Sequence, residues 1–309
     1  MSHAHDHAPV NFGRAFAVGM ALNIGFVAIE AWYGWQAGSL ALLADAGHNL
    51  SDVAGLALAW AAYGAAKIHA TPRHSYGWGK ATVLASLANA AVLLIAMVWL
   101  AVEAVQRVNN PTPVHSTTVM VVAAIGVVIN AVTAWFFASG QRHDLNIRGA
   151  FVHMAADALI SAGVVVAGAL SWWQGWLWID PVVSAVIAVV IATGTWPLLR
   201  ESLHLVFDGV PQAIDAKRVE QRLLALPGVR EVHDLHIWAL STSANALTAH
   251  LVVDPVTAAD TSPCLMQADA MLRREFDIEH ATLQLESERY ASQCRAVRGT
   301  QHANDHHAH

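Results

Sequence analysis

Two short strings in this chain pair an imidazole with a carboxylate at one spacing: His48-Asn49-Leu50-Ser51-Asp52 and His153-Met154-Ala155-Ala156-Asp157. A helix places residues i and i+4 on one face, so each string presents a nitrogen and an oxygen donor side by side. Two such helices face to face offer two nitrogens and two oxygens, a tetrahedral set suited to zinc. Both strings lie in long apolar stretches, where ionisable residues are expensive and usually mark an ion pathway. Polar contacts that bridge helices are the bland alternative for one such pair; the same pair on two apolar helices is harder to reduce to that. Asp45, three residues before His48, shares roughly its helix face. It is placed either to hold a ligand histidine from behind or to serve as a structural or capping group. Glu30 lies deep in the preceding apolar stretch and either lines the same cavity or binds a neighbouring helix. Asn23 and Asn130 read as hydrogen bonders between helices.

The elements that must position these groups are set by an uneven composition. Only 13% of the 309 residues are charged, and most of those follow Arg200. The first two thirds therefore read as membrane and the last third as a soluble domain. A spanning helix needs about 20 apolar residues, and six stretches qualify: 15–36, 39–65, 81–105, 117–138, 147–170 and 181–199. Arg14, Lys67, Arg73, Lys80, Arg142, Arg148 and Arg200 all fall on one side of these spans, while the alternate links hold only Arg107. Basic residues stay in the cytoplasm, so both termini are expected there, in the inner membrane of a bacterial cell. Trp172, Trp173, Trp176 and Trp178 then form an aromatic belt on the outer side. The start, Met1 to His7, lacks the basic region and short apolar core of a signal peptide, so the first span is expected to be retained.

From about residue 209 the pattern changes. Residues 215–226 read as an amphipathic helix ended by Pro227-Gly228, 232–240 and 246–253 as strands, 266–276 as a helix and 281–286 as a strand. The order αββαβ predicts a small two-layer α+β domain of ferredoxin-like kind. The expected fold is an α-helical membrane protein of six transmembrane helices with a C-terminal cytoplasmic α+β domain. Its parts are a His-containing tail (1–13), the helical domain (14–205), the α+β domain (206–290) and a His-rich tail (291–309). Strict alternation puts His236 on the opposite strand face from His233, leaving His233 and His250 as partners; they are metal ligands or structural histidines. His69 and His74 read as solvated loop residues, and the His-rich ends as loose metal gatherers.

Several classes are argued against. The net charge of −6 gives nucleic acid no electrostatic footprint. Cys264 and Cys294 are the only cysteines and build no disulfide framework. Neither GxxxxGKS nor HExxH occurs, so neither ATP hydrolysis nor zinc-protease chemistry is expected. The chain is not read as an enzyme, and no organic cofactor is expected.

The stretch Leu42-Leu43-Ala44-Asp45-Ala46-Gly47-His48-Asn49-Leu50-Ser51-Asp52 resembles the second-helix signature of the cation diffusion facilitator family, and His153-Met154-Ala155-Ala156-Asp157 its fifth-helix signature. His233-Asp234-Leu235-His236-Ile237-Trp238 and His280-Ala281-Thr282-Leu283-Gln284-Leu285-Glu286 are similar to motifs of its cytoplasmic domain. The likeness runs from about Arg14 to Glu288 and is closest to bacterial zinc exporters. It implies a homodimer whose protomers each carry a divalent metal out of the cytoplasm in exchange for protons, using His48, Asp52, His153 and Asp157. His-Asp pairs on both helices imply zinc and often cadmium, in keeping with the preference of imidazole for zinc over harder cations.

Further positions follow from the resemblance. His233 and His250 match ligands of a regulatory metal cluster in the cytoplasmic domain, where Gln284 and Glu286 replace the His and Asp of some members. A weakened or different site at His233, His250 and Glu286 is implied. A second metal site in the loop after the second helix is not expected, because His74 matches one ligand but Trp78 occupies another. Lys80 and Asp208 match a charge interlock near the dimer interface. The expected function is proton-coupled zinc export by alternating access, with cadmium as a further substrate. Its rivals are an exporter or channel for cobalt, nickel or iron, and a membrane-anchored metal sensor.

Overall fold

A computed structural model describes residues 12–66, 68, 70–138 and 145–292. Both His-containing ends, Cys294, Lys67, His69 and Arg142 lie outside the described residues, as do the side chains of Arg14, Asn23 and Arg148. Six long helices stand where the apolar stretches predict them: α1 (Phe12–Ala37), α2 (Leu40–Ala66), α3 (Ala81–Asn109), α4 (Ser116–Ala138), α5 (Leu145–Gln174) and α6 (Ile179–Val206). Without water, a backbone must satisfy its own polar groups, and a helix does so within one segment. On the described residues, α3, α4, α5 and α6 are each long and apolar enough to cross a bilayer. The chain forms two compact units. One takes the described residues up to Leu58 with Ala88–Leu199; the other takes Ala59–Leu87 with the described residues from Arg200.

In the first unit, Leu40, Leu42, Met97, Leu100, Val164 and Ile191 form part of the interior. Helix α4 closely approaches α1 at Gly126 and α5 at Gly168. A Cβ on Gly126 would lie 2.8 Å from the Phe26 ring, and one on Gly168 2.8 Å from Met120. Small residues allow this packing where no hydrophobic force draws helices together. Gly38 turns α1 into α2 with φ +67°, a conformation glycine takes without strain. The first turn of α2 is then held by Asp180 of α6, which accepts from the Leu40 backbone N–H at 2.9 Å and from Ser39 Oγ. Trp172, Trp173, Trp176 and Trp178 are all exposed, as an interfacial belt requires. One turn before Arg107 on α3, Glu103 accepts from its Nε at 3.0 Å.

The second unit carries the α+β fold. Helix α7 (Ala216–Leu224) is capped by Asp215, whose carboxylate accepts from the N–H groups of Lys217 and Arg218. Strands β1 (Val229–Ala239) and β2 (Asn245–Val253) pair antiparallel; β3 (Ile278–Glu286) pairs parallel to β2. The crossover to β3 contains α9 (Ser262–Phe276), as anticipated, and a short α8 (Pro255–Ala259) that was not. Val219, Leu223, Leu247, Leu251, Leu272 and Ile278 are fully buried between the sheet and its helices.

Strict alternation fails along β1. Val232 is buried and so are Ile237 and Ala239, an odd separation that demands one extra residue. The register does shift between His233 and His236, and Asp234 takes φ 54°. This bulge corrects the expected placement of His236. It pairs with Thr248 while His233 pairs with His250, so both histidines share the sheet face turned away from the core.

Candidate metal centre

Helices α2 and α5 bring the four expected residues together. One donor atom from each of His48, Asp52, His153 and Asp157 lies within 4.8 Å of all the others. His48 Nε2 is 3.6 Å from Asp52 on its own helix and 3.3 Å from Asp157 on the other. His153 Nε2 is 3.6 Å from Asp157 on its own helix and 3.1 Å from Asp52 across. Imidazole and carboxylate therefore alternate around a ring, Asp52 meeting both imidazoles through Oδ2 and Asp157 meeting His48 through Oδ1 and His153 through Oδ2. A tetrahedral ion with bonds of about 2.0–2.1 Å separates its donors by roughly 3.3–3.4 Å, and the four distances bracket that value. The imidazoles meet edge to face, with ring centroids 5.8 Å apart. The cluster is unevenly exposed: the side chain of Asp157 is 2% exposed and that of His153 42%. Asp157 Oδ2 is buried and makes no hydrogen bond among the described residues, as befits an oxygen that a cation would claim.

Of the two roles open to Asp45, the structure shows the structural one and not a brace on a ligand histidine: its Oδ2 accepts from Ser161 Oγ on α5 at 2.8 Å. His48 Nδ1, the atom such a brace would hold, makes no hydrogen bond among the described residues. A three-residue step rotates a side chain by roughly 60° around the helix, enough to aim Asp45 at α5 instead. Ser161 lies one turn beyond Asp157, so Asp45 ties together the two helices that carry the cluster. Asn49 Nδ2 stands 3.5 Å from both Asp45 Oδ1 and Glu30 Oε2. Ser161 and Asn49 were not singled out in the sequence; a polar residue in an apolar helix was their only signal. Asn130 is fully buried, but its side chain makes no hydrogen bond among the described residues.

A second cluster sits on the outer face of the sheet. His233, His250 and Glu286 each offer a donor within 4.8 Å of the others. His233 Nε2 is 3.1 Å from Glu286 Oε2, and His250 Nδ1 is 2.7 Å from Glu286 Oε1. Glu286 is buried and also accepts from Gln284 Nε2 at 2.7 Å. The bulge adds Asp234, which reaches His236 at 3.3 Å and His250 at 3.6 Å. In the loop before α3, His74 is exposed and stacks on Trp78 with ring centroids 4.5 Å apart.

Residues 16–205 match the family model described as the cation efflux transmembrane domain, and residues 211–288 that of the cation efflux protein cytoplasmic domain. The chain belongs to the cation efflux family. Its relatives in that family include the metal cation efflux system protein CzcD of Cupriavidus metallidurans, 35% identical over 302 residues (98% of this chain and 94% of that one). The cadmium, cobalt and zinc/H(+)-K(+) antiporter of Bacillus subtilis is 33% identical over 287 residues, or 92% of each chain. The zinc transporter ZitB of Escherichia coli is 32% identical over 316 residues (99% and 100%). Lys80 and Asp208 form an ion pair within the chain.

Proposed function

We propose that this chain exports zinc, and cadmium beside it, from the cytoplasm in exchange for protons, with His48, Asp52, His153 and Asp157 as the transport site. The alternating ring of two imidazoles and two carboxylates, at distances close to those between the donors of a tetrahedral ion, carries this reading. Only neutral imidazole and ionised carboxylate bind a metal, so loading the site from the cytoplasm releases protons. When the helices turn the site outward, incoming protons compete for the same atoms and expel the metal. One site visited in turn by metal and proton couples the two fluxes, and the inward proton gradient drives export. The names of the Bacillus and Escherichia relatives, an antiporter and a zinc transporter, support both the coupling and the metal.

In this reading residues 14–205 form the transporting domain and 206–290 a cytoplasmic one, with both termini inside. The protomer works as a homodimer in the bacterial inner membrane, with Lys80–Asp208 locking charge near the interface. His233, His250 and Glu286 hold a further metal ion in the cytoplasmic domain. The 1–13 and 291–309 tails gather metal without entering the transport step.

The test is metal uptake into inside-out vesicles with the pH of each side varied independently. Acid on the cytoplasmic face should raise the apparent zinc dissociation constant as imidazole protonates, near ~6.5 for an unperturbed histidine. Acid on the other face should speed release. Uptake that follows zinc concentration and ignores both pH values would instead identify a passive channel. Uptake of cobalt, nickel or iron in preference to zinc would reassign the substrate, and no uptake at all would favour a sensor.

A further inference from the structure

Next to the four-ligand cluster lies an acidic group that metal exchange at that cluster does not use. Glu30 of α1 and Asp45 of α2 are both fully buried. Asn49 Nδ2 stands between them, 3.5 Å from an oxygen of each. One amide thus touches both carboxyl groups, and Asp45 is further held by Ser161 Oγ. No lysine or arginine pairs with either among the described residues. Two like charges confined together in a dry interior do not both persist.

The unsatisfied atoms point the same way. Glu30 Oε1 and Asn49 Oδ1 are buried and make no hydrogen bond among the described residues. Both are acceptors, so what each wants is a donor. A carboxyl O–H is the donor this place can supply.

We propose that Glu30 and Asp45 form a proton-binding pair, separate from the metal cluster, that carries one of the protons exchanged for each metal ion. The proposal rests on the antiport reading above. The pair passes between two protons and one. With two, both carboxyls are neutral and their O–H groups find acceptors in each other and in Asn49 Oδ1. With one, the remaining O–H bridges Glu30 and Asp45, and the single negative charge accepts from Asn49 Nδ2 and Ser161 Oγ. The released proton leaves to the cytoplasm as metal loads.

The coupling is electrostatic. The titratable groups beside the pair are His48, which precedes Asn49 on α2, and Asp157, one turn before Ser161 on α5. A doubly charged ion arriving beside Asp157 and His48 favours loss of the proton, and its departure favours re-uptake. The link is also mechanical. Asn49 follows His48 on α2, and Ser161 lies one turn from Asp157 on α5, so each protonation state rearranges bonds on both ligand-bearing helices.

The experiment compares the parental protein with Glu30→Gln and Asp45→Asn in vesicles, reading zinc affinity, maximal rate and protons moved per zinc. An amide keeps the shape of the neutral carboxyl but cannot release a proton. The expected result is unchanged zinc affinity with a several-fold lower rate and a smaller proton-to-zinc ratio. Parental rate and ratio in both variants would overturn the pair while leaving the four-ligand site standing. Lost zinc binding would also overturn it, by making the acids part of the metal site. Should neither variant fold, infrared spectroscopy of the parental protein labelled with 13C-glutamate decides. A protonated buried glutamic acid carbonyl that changes on zinc addition supports the pair; no such band at neutral pH overturns it.

Discussion

In the helical cluster four donors come from two strings of identical spacing, whereas in the sheet cluster three donors come one each from three strands. On α2 and α5 the helical repeat delivers a His and an Asp to one face before any tertiary contact forms. What remains is to set two helices side by side. On the sheet nothing local pairs His233 with His250 or either with Glu286; register does it, in an antiparallel ladder on one side and a parallel one on the other. The spacings differ accordingly. The helical donors sit at an even 3.1 to 3.6 Å, while Glu286 stands 2.7 and 3.1 Å from two imidazoles and Asp234 adds a carboxylate 3.6 Å from His250.

The largest effect should come from Asp157→Ala. Both histidines of the helical cluster face this carboxylate, and its loss should abolish zinc uptake and zinc binding at the transport site while the protein remains inserted and helical. Asp52→Ala should do the same. Vesicle uptake with equilibrium binding checks both, and transport at the parental rate by either variant would dissolve the contrast between the clusters.

A smaller and more specific change is expected of His48→Asp. Replacing a nitrogen donor by oxygen hardens the site and should move preference from zinc toward manganese. Competition uptake across several divalent ions reads the shift; an unchanged order would remove His48 from the ligand set.

The sheet cluster should respond differently to the loss of its acid. Glu286→Gln in the full-length protein should lower the number of zinc ions bound at equilibrium, yet leave maximal uptake at saturating zinc within about twofold, since it touches no transport ligand. A collapse of uptake comparable to that of Asp157→Ala would mean that the two clusters act as one.

The smallest effect concerns acid stability of the α+β unit. Arg222 donates from Nε to Glu275 at 2.8 Å and holds that carboxyl below its ordinary value of 4.5. A lowered acid contributes stability that is present above its unfolded value and lost as pH falls through the folded one. Glu275→Gln should therefore lower the melting temperature slightly near neutral pH, and the deficit should shrink on acidification through and below the ordinary glutamate range. Thermal unfolding across pH tests this; a deficit constant with pH would mean the ion pair contributes nothing through its charge. The pair is largely solvent-exposed, so even the neutral-pH effect is modest.

The sequence by itself determined the six long helices, the α+β tail and the identity of the helical donors. Hydrophobic runs, charge asymmetry and a four-residue spacing are local signals, and a helix converts them directly into faces. It also named His233, His250 and Glu286, through likeness to a family's motifs and not through spacing. Only the tertiary structure decided what depends on pairing. The bulge at Asp234 returned His236 to the face of His233, though the odd separation of Val232 from Ile237 and Ala239 was visible beforehand as a parity break. Asp45 turned to Ser161 rather than to His48, because a helical rotation fixes where a side chain points but not which helix stands there. Asn49, one turn beyond Asp45 on α2, met Glu30 of α1 for the same reason. Helix geometry is written within a few residues of chain, while contacts between elements are settled by packing that no short stretch contains.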